Sequence, residues 1–280
     1  MINKNLKSVA FVSSIALSSA AVFAAVPADY EQFQPILAES KLQASDPEGK
    51  SGNKAEYAAD SNFSGLELKD VFFVDEDSEA LVFKMKGYKN RSEVRILDNF
   101  DTSLPDTFYR LSADILPINP QAAVAMSDGK NDAMTFLQVH NSGDGTSARG
   151  TSGEGYIPHP LVRVVYEAER SGKTDHYWAI IKNNAMDCGS KSGNKEKVEC
   201  KEAYIKLDLG QVDLVKPTHF DIIVGDSKLV IDRDGETVVN HDISYWSEKF
   251  SYFKAGVYNQ FKNGTSEAHF YSLEYSIDKK

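Results

Sequence analysis

Near the C-terminal end of the chain, Tyr252, Lys254, Tyr258 and Gln260 fall on even positions, while Phe253, Ala255 and Val257 fall on the odd positions between them. Side chains on a β-strand alternate between faces, so this stretch reads as a strand whose apolar set enters a core and whose phenols, ammonium and carboxamide line the opposite surface. Two further segments repeat the pattern. Arg91, Glu93 and Arg95 share a face in Arg-Ser-Glu-Val-Arg-Ile-Leu, 91–97, and Gln138 and His140 share one in Phe-Leu-Gln-Val-His, 136–140. Taken singly, an alternating polar face is ordinarily solvated sheet and a lone His is ordinarily structural. Taken together, the three stripes form a surface that can hold a sugar acid.

Such stripes need a sheet to carry them, and strand signals dominate the chain. Apolar or alternating runs occur at 71–74, 80–85, 92–97, 109–115, 133–140, 161–167, 177–181, 203–207, 220–224, 228–231, 236–240, 250–258 and 268–275, with helical periodicity nearly absent. Asp232-Arg233-Asp234-Gly235 separates two β-branched runs as a hairpin turn with Gly available for positive φ. Many short strands joined by turns predict an all-β fold, an antiparallel sandwich, and no internal repeat or long linker divides the chain. The polar stretch 46–62, with Gly49 and Gly52, reads as a loop, and 33–43 reads as either a short helix or a leading strand.

Arg-Ser-Glu-Val-Arg at 91–95, Gln-Val-His at 138–140 and Tyr-Phe-Lys-Ala-Gly-Val-Tyr-Asn-Gln at 252–260 resemble, in order and approximate spacing, the three signature blocks of the alginate lyases of polysaccharide lyase family 7. The resemblance covers most of the chain, with no departure at the positions that the family uses for chemistry. It sharpens the sandwich to a β-jelly roll, concanavalin-like, with a concave substrate groove. A trough open at both ends suits endolytic action, with the glycine- and serine-rich loops 141–155 and 187–201 as candidate lids over it.

The chemistry that the resemblance implies is β-elimination on a 1,4-linked polymer of mannuronate and guluronate, leaving a 4,5-unsaturated uronate at the new non-reducing end. The C5 proton beside an ionised carboxylate is very weakly acidic, so donors must neutralise the carboxylate as charge builds up on it. Arg91 suits this by bidentate pairing, Gln138 adds an amide and His140 an imidazole. By resemblance, Tyr258 moves both protons on mannuronate, whereas on guluronate His140 is the base and Tyr258 the acid. A free phenol titrates near pH ~10, so Tyr258 needs cationic neighbours to favour its phenolate, with Lys254 and Arg91 the candidates. Lys254, Tyr252 and Gln260 are expected as substrate-binding or orienting residues. Glu93 and Arg95 join that set, with Glu93 either touching the polymer or orienting Arg91 and Arg95 through ion pairs. In this family Val at the centre of Gln-x-His accompanies a mannuronate preference, so Val139 implies one here.

Composition bounds the rest. Met1 to Ala25 follows the basic, apolar and small-residue order of a secretory signal peptide, with cleavage expected after Ala24, a single domain from 25 to 280 with 25–62 as its lead-in, and a secreted or periplasmic product. Residues 1–24 contain Lys4, Lys7 and no acid, so the formal charge moves from −10 to −12, 29 basic residues against 41 acidic. That argues against nucleic acid and requires a locally positive groove for a polyanion, to which Arg91, Arg95, Lys254 and Arg163 contribute. No membrane partner is expected after cleavage, and the enzyme is expected to be a monomer acting on alginate or a related polyuronate. Cys188 and Cys200 flank a polar stretch and are expected to form a disulfide, since no nearby His or third Cys completes a zinc site. The remaining histidines follow no metal spacing, and no cofactor is needed. Trp178 and Trp246 read as core residues, with sugar stacking the alternative.

Two other classes compete. A non-catalytic carbohydrate-binding domain would need aromatic platforms and has no use for Arg, Gln-x-His and Tyr converging on one point. A glycosidase on a similar sandwich needs two placed carboxyl groups, and no closely spaced Glu-x-Asp-x-Glu strand motif is present. A lyase of another polyuronate such as glucuronan survives better, because its carboxylate chemistry is identical.

Overall fold

The structure is a computed structural model that describes residues 24–46, 54–125, 133–143, 156–157, 159–183 and 203–279. The apolar run 9–23, Cys188, Cys200, the loop 187–201 and all but residues 141–143 of the loop 141–155 lie outside the described residues.

Within them the strands are β1 (Ala24–Ala25), β2 (Ser40–Ala44), β3 (Ala55–Tyr57), β4 (Phe72–Asp75), β5 (Ala80–Lys86), β6 (Arg91–Ile96), β7 (Phe100–Asp101), β8 (Thr107–Pro117), β9 (Ala133–Gly143), β10 (Pro160–Arg170), β11 (Lys173–Lys182), β12 (Tyr204–Gln211), β13 (Thr218–Gly225), β14 (Lys228–Arg233), β15 (Glu236–Asp242), β16 (Phe250–Asn259) and β17 (Thr265–Lys279), with short helices α1 (Gln34–Ala38) and α2 (Pro120–Ala125). They form two antiparallel sheets. One runs β1-β4-β5-β17-β8-β13-β14-β15, and the other runs β12-β11-β10-β9-β16-β6-β2-β3 with β7 added beside β16. This is the jelly roll, and all thirteen runs read as strands in the sequence are strands in it.

The faces between the sheets hold the core. Phe253 on β16 meets Phe100 at 4.9 Å and Tyr275 of the opposite sheet at 5.9 Å between ring centroids, and Tyr177 on β11 meets Phe220 of β13 at 5.0 Å. Each such pair adds about 0.5–1.5 kcal/mol to the apolar area it removes from water. Phe253, Ala255 and Val257 are all buried here, as the alternation in the sequence requires, which turns Tyr252, Lys254 and Tyr258 to the other side. Val139 is likewise in the core, leaving Gln138 and His140 on the groove face. Trp246 is a core residue whose indole nitrogen donates to Ser251 Oγ at 3.0 Å.

Two sequence expectations are amended. Residues 33–43 hold both alternatives, α1 and then β2, with Ser40 Oγ donating to the Ile36 carbonyl at 2.6 Å across the join. The stretch 46–62 contains β3, which pairs with β2 through Leu42–Tyr57, Gln43–Glu56 and Ala44–Ala55. All three β3 residues are exposed, so the strand lacks the apolar alternation by which a sequence reveals one. The β14–β15 hairpin turns at Asp234 and Gly235, both at positive φ as a tight two-residue turn demands.

Candidate active site

Residues paired directly across antiparallel strands share a face, so register alone assembles the groove. Lys41 pairs with Arg95, Arg95 with Lys254, Lys254 with Gln138, Gln138 with Arg163, Arg163 with Ile180 and Ile180 with Lys206. One line across seven strands therefore carries five cations and an amide, in a chain whose overall charge is −10. Lys41 and Lys206 are additions to the cations expected from the sequence. The alternation of Lys41 and Gln43 with the buried Leu42 and Ala44 was a readable signal for the first of them.

At the centre lies Glu93, fully buried. Its Oε2 accepts from Lys254 Nζ at 3.0 Å and stands 3.4 Å from Arg91 Nη1, while its Oε1 accepts from Gln138 Nε2. Gly256 makes this convergence possible. It lies opposite Glu93 in the β16–β6 ladder at φ +141°, and a Cβ there would overlap the Ser92 carbonyl oxygen and the Glu93 Cα. A side chain at 256 would push β16 away from β6, and with it Lys254 from Glu93. Removing a carboxylate and an ammonium from water costs several kcal/mol per ion, so this pair is better understood as an organising device than as a source of stability.

Arg95 and Lys254 were expected among the substrate-binding or orienting residues, and Glu93 either to touch the polymer or to orient the arginines; the structure places all three in the floor of the groove, at 0–2% exposure. Arg95 is tied down at the end of its strand. Its guanidinium donates to the Ile96 and Leu97 carbonyls at 2.6 and 2.9 Å and to Asn99 Oδ1 at 2.8 Å, and lies 3.7 Å from the centre of the Tyr252 ring. Burial depresses the Lys254 pKa, with Glu93 opposing the shift.

Arg91, His140, Tyr252 and Tyr258 lie nearer solvent. Arg91 covers the Tyr258 ring with its guanidinium carbon 4.5 Å from the centroid, and its Nε is a buried donor without a hydrogen-bond partner among the described residues. His140 Nδ1 is 3.0 Å from the Asn141 carbonyl, and its ring is stacked on Tyr252 at 5.4 Å and on the exposed Tyr156 at 6.2 Å. A carbonyl only accepts, so Nδ1 carries the hydrogen and Nε2 the lone pair. Burial, then the charges of Lys254, Arg91 and Arg95, push the His140 pKa down to about 3, against the pull of that carbonyl. Tyr156 had no signal in the sequence.

Tyr258 departs from expectation. Burial raises its pKa more than Arg91 and Arg163 lower it, and Glu93 raises it further, so the phenol is protonated at rest. Lys254, expected to favour the phenolate, is bonded to Glu93 instead. Burial likewise raises Tyr252, to about 12. Gln260 lies just beyond β16, where its Oε1 accepts from Arg163 Nη1. Trp178 lies on the groove face of β11, buried with Ala133, Val165 and Ile180 in a small separate cluster. Among the described residues no group of three His, Cys, Asp or Glu is placed to hold a metal ion.

A lyase for acidic polysaccharide needs donors that neutralise a carboxylate beside groups that move a proton, and this face of the jelly roll presents both. The family model described as alginate lyase matches residues 37–277. An alginate lyase from Photobacterium sp. (strain ATCC 43367) is 44% identical over 98% of this chain and 99% of its own length. The solved alginate lyase AlyC3 is 48% identical over 96% of this chain and all of its own, with a TM-score of 0.86; another AlyC3 structure, 47% identical with the same TM-score and the same shares of both chains covered, holds dimannuronate. Alginate lyase A1-II′ of polysaccharide lyase family 7, 19% identical over 89% of this chain and 99% of its own, shares the fold with a TM-score of 0.63. The chain belongs to the alginate lyases of polysaccharide lyase family 7 and is a polysaccharide lyase.

Proposed function

We propose that this enzyme cleaves alginate within the polymer by β-elimination and prefers mannuronate-rich chains. The observation that carries the reading is the Glu93 carboxylate, which gathers Arg91, Gln138 and Lys254 from three strands beside a neutral His140 and a protonated Tyr258. Arg91, with its unpartnered Nε, and Gln138 take the substrate carboxylate and stabilise the charge that develops as C5 loses its proton. On guluronate the lone pair of His140 Nε2 accepts that proton and Tyr258 donates to the departing O4. On mannuronate Tyr258 serves both steps: its phenol first gives its proton to solvent, the Arg91 guanidinium over the ring stabilises the resulting phenolate, and the phenolate takes the C5 proton and delivers it to the departing O4. Glu93, Arg95 and Lys254 position these groups from below, and Tyr252 and Gln260 line the path.

The preference rests on Val139 and on AlyC3, a relative of 47% identity whose structure holds dimannuronate. The test is ultraviolet absorbance from the new C4–C5 double bond on polymannuronate, polyguluronate and glucuronan, with product size followed over time. Fastest rates on polymannuronate and an early fall in mean chain length are expected. Flat traces on all three would remove the lyase chemistry, a several-fold excess on polyguluronate would remove the preference, and release of single units from the start would remove the endolytic mode.

We further propose export with cleavage after Ala24, and a Cys188–Cys200 disulfide in the mature, monomeric protein. Intact mass decides the first two, since reduction adds two hydrogens only if the bridge exists. Sedimentation decides the third.

A further inference from the structure

On β2, Lys41 and Gln43 point into the groove while Leu42 between them enters the core. Lys41 is opposite Arg95 and Gln43 opposite Glu93, so the pair continues the groove's polar surface one strand beyond β6. Both side chains are buried, and what they hold is a carboxylate. Lys41 Nζ donates to Glu56 Oε2 at 2.8 Å and Gln43 Nε2 to Glu56 Oε1 at 2.9 Å, with Lys54 Nζ 3.4 Å from Oε1. An ammonium on one carboxylate oxygen and a carboxamide on the other is the set that Lys254 and Gln138 present to Glu93. Burial alone would raise the Glu56 pKa, but these hydrogen bonds and charges hold it at about 2, so it is an anion at any working pH.

The opposite end of the cation line is built differently. There Arg163 bonds the neutral amide of Gln260, and Lys206 has Arg170 and Arg163 among its charged neighbours along with Glu167. One end of the groove thus carries a fixed carboxylate on its donors, and at the other the arginine on the line is met by an amide. A uronate polymer crossing the sheet presents one carboxylate per sugar, and adjacent strands stand about 4.8 Å apart, near the length of one pyranose unit. The strand β3, three residues long and exposed throughout, contributes Glu56 from the rim.

We propose that Lys41 and Gln43 form a uronate-carboxylate subsite that Glu56 fills from within, so that the polymer path ends at β2 and extends instead toward β10–β12. This deepens the reading of the groove as a polyuronate path and rests on it. Glu56 is then a specificity-determining residue that limits how many sugars bind on the β2 side of the cleaved bond.

The test measures kcat and KM on size-defined oligouronates of increasing length, with product sizes, for the full chain and for Glu56→Gln. Neutralising Glu56, so that a substrate carboxylate can displace its side chain from Lys41 and Gln43, should lower KM about tenfold for oligomers long enough to reach β2, the low end for one hydrogen bond to a charged group. It should leave kcat and the short oligomers unchanged and lengthen the product on that side by one unit. Adding Lys41→Met to Glu56→Gln should abolish the gain. Glu56→Asp, which keeps the charge but is too short to span both donors, should give a smaller gain and decides the matter should Glu56→Gln fail to fold. Glu236→Gln, on exposed β15 of the other sheet, controls for net charge. An unchanged KM on long oligomers, an equal gain on short ones or in Glu236→Gln, or a gain that persists without Lys41 would overturn the proposal. Absence of activity in the unmodified enzyme on every uronate would instead defeat the lyase reading beneath it.

Discussion

His140 and His219 each sit on a strand of a different sheet, half-buried, with one ring nitrogen bonded to an oxygen. His140 faces the groove among Lys254, Arg91 and Arg95; burial and these cations drive its pKa to about 3 and leave a neutral ring with a lone pair on Nε2. His219 on β13 has Asp114 Oδ1 2.9 Å from Nδ1 and Asp221 Oδ2 3.4 Å from Nε2. Burial alone would lower its pKa, but the two carboxylates outweigh it and the pKa is raised. Those carboxylates are anchored in turn, Asp114 by Ser272 and Asp221 by Ser112 and Arg110. Burial acts in the same direction at both sites, and the sign of the surrounding charges decides the outcome. One site therefore offers a base, and the other an imidazole whose protonated form is favoured by the carboxylates that join β13 to β8.

The largest expected effect tests the catalytic side of this contrast. Tyr258→Phe deletes one oxygen beneath Arg91 and keeps the ring, so folding should survive and kcat should fall by roughly 10²–10⁴-fold. Near-normal turnover on polymannuronate would pass the proton role to His140. The control is Tyr252→Phe on the same face, held between Arg95 and His140, which should raise KM more than it lowers kcat.

Next, His140→Asn removes the lone-pair nitrogen and should reduce rates on polyguluronate more than on polymannuronate. Equal losses would break the division of labour between His140 and Tyr258. For the same reason the unmodified enzyme's rate on polyguluronate should show no acid limb near pH ~6.5, the ordinary range of imidazole, because His140 stays neutral far below it. Arg91→Lys keeps the charge but not the planar fork, and should lower kcat/KM by about 10–100-fold, the value of one or two charge-assisted hydrogen bonds.

The smallest effect sharpens the comparison itself, through stability measured as urea midpoints against pH. His140 has a depressed folded pKa, so the unfolded chain binds more protons between about 6.5 and about 3; its contribution is complete above that window and is lost as pH falls through it. His219 has a raised folded pKa, so its contribution is complete below about 6.5 and is lost as pH rises through the folded value. His140→Asn should flatten the acid slope and His219→Asn the slope above about 6.5, the second weakly because the His219 side chain is 37% exposed and screened. Identical profiles for the two variants would show that neighbouring charges do not separate them.

Much of the architecture was legible because alternation is a local signal. The run 250–258 became β16 almost unchanged, whereas 109–115 and 268–275 grew to 107–117 and 265–279, since polar flanks continue a strand wherever the neighbouring strand is long enough to pair with them. β3 was missed because nothing in its three exposed residues alternates. The contacts of Arg95 at the end of β6 were hidden for a related reason. Sharing a face with Glu93 was readable from the spacing, but the presence of Ile96 O, Leu97 O, Asn99 and the Tyr252 ring within its reach was not.

By itself the sequence determined the all-β class, the faces of the three signature strands, and a set of residue types fitted to carboxylate and proton chemistry, all of which depend on spacing along one strand. Only the tertiary structure decided that β9, β16 and β6 lie side by side, bringing Gln138 and Lys254, 45 and 161 residues distant, onto one carboxylate. It also decided protonation, keeping Tyr258 a phenol where nearby cations had pointed to a phenolate. Which face a side chain takes follows from its own backbone, but its pKa and partners follow from strands that only folding brings beside it.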